Sequence, residues 1–134
     1  MHDEPTSQEL VAAVRDFIQN VAMKQLEGRA NFHARVAANA LSIVQRELEL
    51  GPEGNDNERE RLKTLLNQDG TLFQLNRELC ARIRAGAIGL DTPGLTDHLW
   101  KTTLSKVAID QPKYSAYKKV RMDRQNAFVE KHKK

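Results

Sequence analysis

Apolar residues recur every three or four positions through most of the first 110 residues of this 134-residue chain, and that period constrains the fold more than any other feature. At 3.6 residues per turn such spacing lines up one face of a helix, whereas a half-buried strand needs strict alternation. Leu10, Val11, Val14, Phe17, Ile18 and Val21 make the first stripe. Thr6 and Glu9 precede it with the spacing of a capping box, so a helix is expected to start there. Gly28 is its expected stop, because glycine accepts the left-handed conformation that often ends helices.

A second helix is predicted from Ala30 to Leu50, closed by Gly51 and Pro52. The short link makes the two an antiparallel hairpin. "GPEGNDN" then reads as a loop, and "ERERLKTLLN" as a short helix with Leu62, Leu65 and Leu66 on its edge. From Thr71 a further helix carries Leu72, Leu75, Leu79 and Ile83 and ends at Gly86. "LDTPGL" has the form of a helix start, with Asp91 or Thr92 as cap and Pro93 preset for the first turn. Leu95, Leu99, Trp100, Thr103, Leu104 and Val107 are its expected buried side, and Pro112 closes the body. No segment alternates as a strand would, and no repeat of 20 to 50 residues is present. The expected fold is an all-α, bundle-like domain over residues 1–112, with four principal helices, a short helix and a basic C-terminal extension over 113–134.

Hydrophobic residues at 40% and charged residues at 29% are ordinary for a folded globular protein. The single cysteine, Cys80, has no intramolecular partner for a disulfide or a paired metal site, which fits a reducing cytoplasm. The start "MHDEPTSQEL" is acidic and polar where a secretory signal would be basic and then apolar, and no apolar run approaches the roughly 18 residues of a membrane span. A cytoplasmic protein is the expectation. From Lys113 onward eight Lys or Arg stand against two acidic residues, so the tail carries the positive charge and residues 1–112 are mildly acidic.

The common catalytic signatures are missing. No glycine-rich phosphate loop ends in Lys and Ser or Thr, "GAIG" lacks the glycine set of a dinucleotide fold, and neither His-Glu-x-x-His nor Glu-x-x-His is present. No metal or cofactor is expected, and the reading leans towards a non-catalytic chain. Three ionisable residues nevertheless project into the apolar arc of the second helix: Arg29, His33 and Glu47. His33 and Glu47 are 14 residues apart, about 21 Å along the axis, so they pose separate problems. Glu47 with Arg82 is expected as a polar group satisfied within the core. Arg29 and His33 are likewise expected as polar groups satisfied in the core or at a half-covered helix end, with His33 bonded to a backbone carbonyl or Asn76, and Asn76 is expected to tie helices together; the alternative is an anion site formed by Arg29, His33 and Asn76 near a helix N-terminus. Cys80 and Trp100 are expected in the core, Trp100 alternatively at a partner surface. In the tail Lys118, Lys119, Arg121 and Arg124 interleave with Tyr114, Tyr117 and Phe128, a composition that suits nucleic acid or an anionic membrane.

The segments "HDEPTSQELVAAVRDFI", "GRANFHARVAANALSIVQRELELG", "LNRELCARIRAG", "DTPGLTDHL" and "IDQPKY", in that order, resemble a bacterial family of small helical proteins of unknown function. Its members are encoded near aminoglycoside-phosphotransferase-like kinases and acyl-CoA dehydrogenases. The likeness runs from His2 to about Tyr114 and not into the tail. It implies an accessory protein of acyl-CoA metabolism and supplies no catalytic residues. The leading expectation is therefore an interaction module that packs on a phosphotransferase-like kinase, on an acyl-CoA dehydrogenase, or on itself as a dimer. The alternatives are a domain that holds a CoA or phosphate moiety at Arg29 and His33, and binding of nucleic acid or membrane through the tail.

Overall fold

The computed structural model describes residues 4–131, with side chains as far as Asp123, and among these residues it contains helices and no strand. The helices are α1 (Ser7–Phe17), continued by a π-helical turn Ile18–Ala22 and the single turn α2 (Met23–Gln25), then α3 (Gly28–Leu66), α4 (Leu72–Arg84), α5 (Leu95–Asp110) and α6 (Ser115–Lys131). The all-α class is as the periodicity requires. No helix among the described residues is long and apolar enough to cross a membrane. The chain divides into two compact units, residues 1–52 and 53–134.

Two helix starts are fixed by local chemistry. The Thr6 backbone N–H donates to Glu9 Oε2 at 2.7 Å and the Glu9 N–H returns to Thr6 Oγ1 at 3.3 Å. The Thr6 N–H also holds the Glu9 carboxyl below its ordinary range. Thr71 and Gln74 repeat the device at α4, with bonds of 2.9 and 3.3 Å. Each pair satisfies orphan N–H groups that a helix leaves at its first turn.

The expected stop at Gly51 and Pro52 does not occur. α3 runs through both, so the predicted loop "GPEGNDN" is helical and the predicted short helix is its C-terminal part. A proline's φ is already helical, and once the chain is in a helix its ring costs one backbone hydrogen bond and some crowding rather than the whole element.

In the first unit α1 and the N-terminal part of α3 form a hairpin. Gly28, at φ 55°, makes the turn, as expected of a glycine there. Asn31 fastens it, its Nδ2 donating to the Met23 and Leu26 carbonyls at 2.6 and 3.0 Å, where the preceding helix has run out of N–H partners. Further along, Arg15 donates to Gln45. The facing residues are Val11, Arg15, Ile18 and Ala22 on one side, and Ala34, Ala38, Leu41, Ser42 and Gln45 on the other. Ala38 is the fully buried apolar member, at 1% exposure. Small residues let the helix axes approach closely, which is why this side of α3 faces α1.

The second unit has the larger core: Leu62, Leu66, Leu75, Leu79, Ile88 and Leu95, flanked by Leu65 and Leu72. Arginines hold the link between α3 and α4. Arg82 Nη1 donates to the Leu66 carbonyl at 3.1 Å, an acceptor that the ending α3 leaves open, and Arg59 Nε donates to the Gly70 carbonyl of the link at 2.9 Å.

The start of α5 departs from expectation. Its N-cap is Gly94, left-handed at φ 88°, with no side-chain cap. Thr92 instead closes the preceding turn, its Oγ1 accepting from the Gly89 N–H at 3.0 Å. Leu95 and His98 are buried, Leu104 and Val107 are partly covered as expected, together with Thr102, Ser105, Ala108 and Ile109, and Thr103 is exposed. Leu99 and Trp100 stay half-exposed, so Trp100 is not a core anchor, and Cys80 is exposed rather than buried.

Candidate functional site

The turn at Gly89–Gly94 sets the geometry of a concave site beside α5. Left-handed backbone at Gly94 lets α5 begin with Leu95 in the core, and a residue three positions on lies on the same face. That residue is His98, at 3% exposure the buried polar side chain of the unit. It lines a groove of about 670 Å³ with Arg61, Thr64, Leu65, Pro93 and Lys101 among the walls. Arg61 reaches across from α3, its Nη2 donating to Thr102 Oγ1 at 3.2 Å, while Lys101 pairs with Asp97 at 2.7 Å.

Two buried atoms of residues that line this groove, Arg61 Nε and His98 Nδ1, have no hydrogen-bond partner among the described residues. A buried polar atom left unmatched costs about 1–3 kcal/mol, a cost that an ordered water or a bound polar group relieves. Burial pushes the His98 imidazole below its ordinary value of 6.5, and the Arg61 charge adds to this against the opposite pull of Glu58 and Asp97. His98 is therefore neutral at pH 7. The groove offers a fixed cationic N–H beside a neutral imidazole, an arrangement that can hold a small anionic or acceptor-bearing group.

The sign of the His98 shift gives a stability prediction. The unfolded state binds the proton more readily, so the contribution of neutral His98 is complete above pH 6.5 and is lost as pH falls through the lower folded value. Thermal melts from pH 8 to pH 5 are expected to show a decline below pH 6.5 that His98→Gln flattens. A His98→Gln profile parallel to that of the wild type would refute this.

The residues singled out from the sequence fall elsewhere. Arg29, His33 and Glu47 are all exposed, on the side of α3 that carries Phe32, Val36 and Ile43. Arg29 and His33 stand one turn apart on an open helix face and not in a cleft. Glu47 is no core group: its carboxylate lies over the backbone of Gly51, where a Cβ would stand 2.9 Å from Oε1. Arg82 is taken up within its own unit by Glu78 at 2.7 Å, the Leu66 carbonyl and Gln68. Asn76 donates to Glu58 Oε1 at 2.8 Å and to the Leu72 carbonyl at 3.2 Å, tying α4 to α3. Lys118, Lys119 and Arg121 are exposed on α6, and Arg121 lies 6.0 Å from the Tyr117 ring centre. The Arg124 side chain is outside those described.

The sequence does not distinguish His98. Apolar residues surround α5 on several sides, so the period does not single out one face. The one local signal is the spacing of His98 from Leu95 behind a Pro-Gly turn.

No curated protein matches the chain, and no solved structure does. A family model does match, over residues 24–114, ending where the sequence resemblance ends but starting well after His2. The chain belongs to that family, a domain of unknown function (DUF6285).

Proposed function

We propose that this protein is a non-catalytic accessory module that docks on a partner enzyme through its N-terminal hairpin. The observation that carries the reading is the stripe Leu10, Val14, Phe17 and Val21 on the outer side of the first helical segment. These residues are 49, 51, 58 and 42% exposed, and their spacing of four, three and four is that of a coiled-coil seam. A contiguous apolar row of this kind on a surface marks an interaction site. The resemblance to small proteins encoded beside phosphotransferase-like kinases and acyl-CoA dehydrogenases supports one of those enzymes as the partner. Co-expression of the tagged full chain with each neighbouring enzyme, followed by size-exclusion chromatography, tests the reading. Co-elution with one enzyme that Val14→Glu or Phe17→Glu abolishes is expected. Separate elution from both, or co-elution indifferent to these substitutions, overturns it.

The unmatched Arg61 Nε and His98 Nδ1 favour a second reading, binding of an anionic small molecule in the α3–α5 groove. A ligand that binds only the folded state raises its stability by RT ln(1 + [L]/Kd). Inorganic phosphate and CoA are the probes. A concentration-dependent rise in melting temperature that Arg61→Gln removes supports the reading, and identical responses of the two proteins refute it.

A further inference from the structure

The ionisable residues on the open face of α3 follow a pattern. Arg29, His33, Val36, Ala40, Ile43, Glu47 and Leu50 are spaced by four and three in strict alternation, which makes a single seam about 32 Å long. Every one of them is exposed, Val36, Ile43 and Leu50 at 49, 37 and 41%. Phe32, at 60%, and Val44, at 44%, flank the seam on its two sides. The hairpin itself does not cover this face, because α1 packs against the side that bears Ala34, Ala38 and Ser42.

The seam is centred on Ala40. Seven positions before Ala40 stands His33, with Arg29 one turn further out, and seven positions after it stands Glu47. Inside them Val36 lies four positions before Ala40 and Ile43 three positions after it. A two-fold axis through Ala40 that sets two such helices antiparallel places Val36 level with Val44 of the partner subunit and Ile43 level with Ala37 of the partner subunit. It places His33 and Arg29 beside Glu47 of the partner subunit, once at each end. A parallel pairing would instead set Arg29 on Arg29 and Glu47 on Glu47, like charges that repel. A fixed cation and a carboxylate on opposite sides of a small apolar centre are what an isologous, self-complementary contact requires.

We infer that this face of α3 binds a second copy of the chain, forming an antiparallel homodimer closed at both ends by Arg29 and His33 against Glu47 of the partner subunit. The small side chain of Ala40 lets the helices approach at the axis, and the carboxylate, guanidinium and imidazole that look misplaced on an apolar face become the elements that set register and direction. This goes beyond the enzyme-docking role, since it uses a different helix face and a different occupant.

The test is the mass of the full-length protein by sedimentation and light scattering across concentration. The wild type is expected as a dimer. Glu47→Lys and His33→Glu are each expected to raise the dimer dissociation constant roughly ten- to hundredfold, because each breaks two symmetry-related contacts. Both lie on an exposed face, so circular dichroism is expected to remain helical. Mixing the two variants restores both opposite-charge contacts and is expected to return the dimer. A monomeric wild type, or a dimer that neither substitution weakens, overturns the inference. Phe17→Glu, which removes the proposed enzyme contact, leaves the dimer mass unchanged, so failure of one reading is separable from failure of the other.

Discussion

Replacing Leu75 with alanine is expected to lower the stability of the second unit by about 3–5 kcal/mol. Leu75 has no exposed surface and sits with Leu62, Leu66, Leu79 and Leu95. The loss has two parts. The removed carbons forfeit their transfer out of water, and the space they leave is lined by helices that α3 and α4 hold through the Asn76–Glu58 and Arg82–Leu66 hydrogen bonds, so it closes only in part. Denaturant titration should show the midpoint falling with little change in slope. Leu90→Ala is the control: Leu90 is 84% exposed and its truncation should stay within about 0.5 kcal/mol. A loss under about 1 kcal/mol at Leu75 would mean that this cluster is not the core of the unit.

Ala38→Leu is expected to destabilise the hairpin by about 1–3 kcal/mol, with the effect confined to the first unit. Ala38 is 1% exposed where α3 meets the first helical segment, and the contact is made of small side chains on the α3 side. Three extra carbons there force the helices apart and stretch the Arg15–Gln45 hydrogen bond. Hydrogen exchange is the appropriate measurement, since it resolves local opening. Amides of Ser7–Phe17 should exchange faster in the variant while those of α4 and α5 keep their protection. Ala37→Leu, one position along and exposed, should leave all of them unchanged. Equal behaviour of the two variants would show that Ala38 is not the point of contact.

Features written in a few adjacent residues are legible in the amino-acid sequence alone. Thr6 with Glu9 and Thr71 with the segment behind it announce helix starts because a cap is satisfied within three residues, whatever the rest of the chain does. Gly28 and Gly86 take left-handed backbone close to the predicted breaks. Gly51 and Pro52 mislead, since the two residues that end a helix at its margin are here carried through the interior of α3, although the Gly54, Asn55, Asp56 and Asn57 that follow are poor helix formers. At the candidate groove the signal is weaker still. Arg61 and His98 are 37 positions apart, and only the fold of α3 against α5 brings them to one wall.

Helicity, the positions of most helix starts, and an apolar seam on α3 with Arg29 and His33 at one end and a carboxylate at the other are all properties of the linear chain. Which side of each helix lies inside is settled by packing. α3 turns its small residues to α1 and leaves the seam open, and α5 buries His98 while half-exposing Trp100. A period of 3.6 identifies a face but not its partner. Where a helix is apolar on more than one side, close approach by small residues and a glycine turn such as Gly94 choose between faces, and both depend on elements distant in the chain.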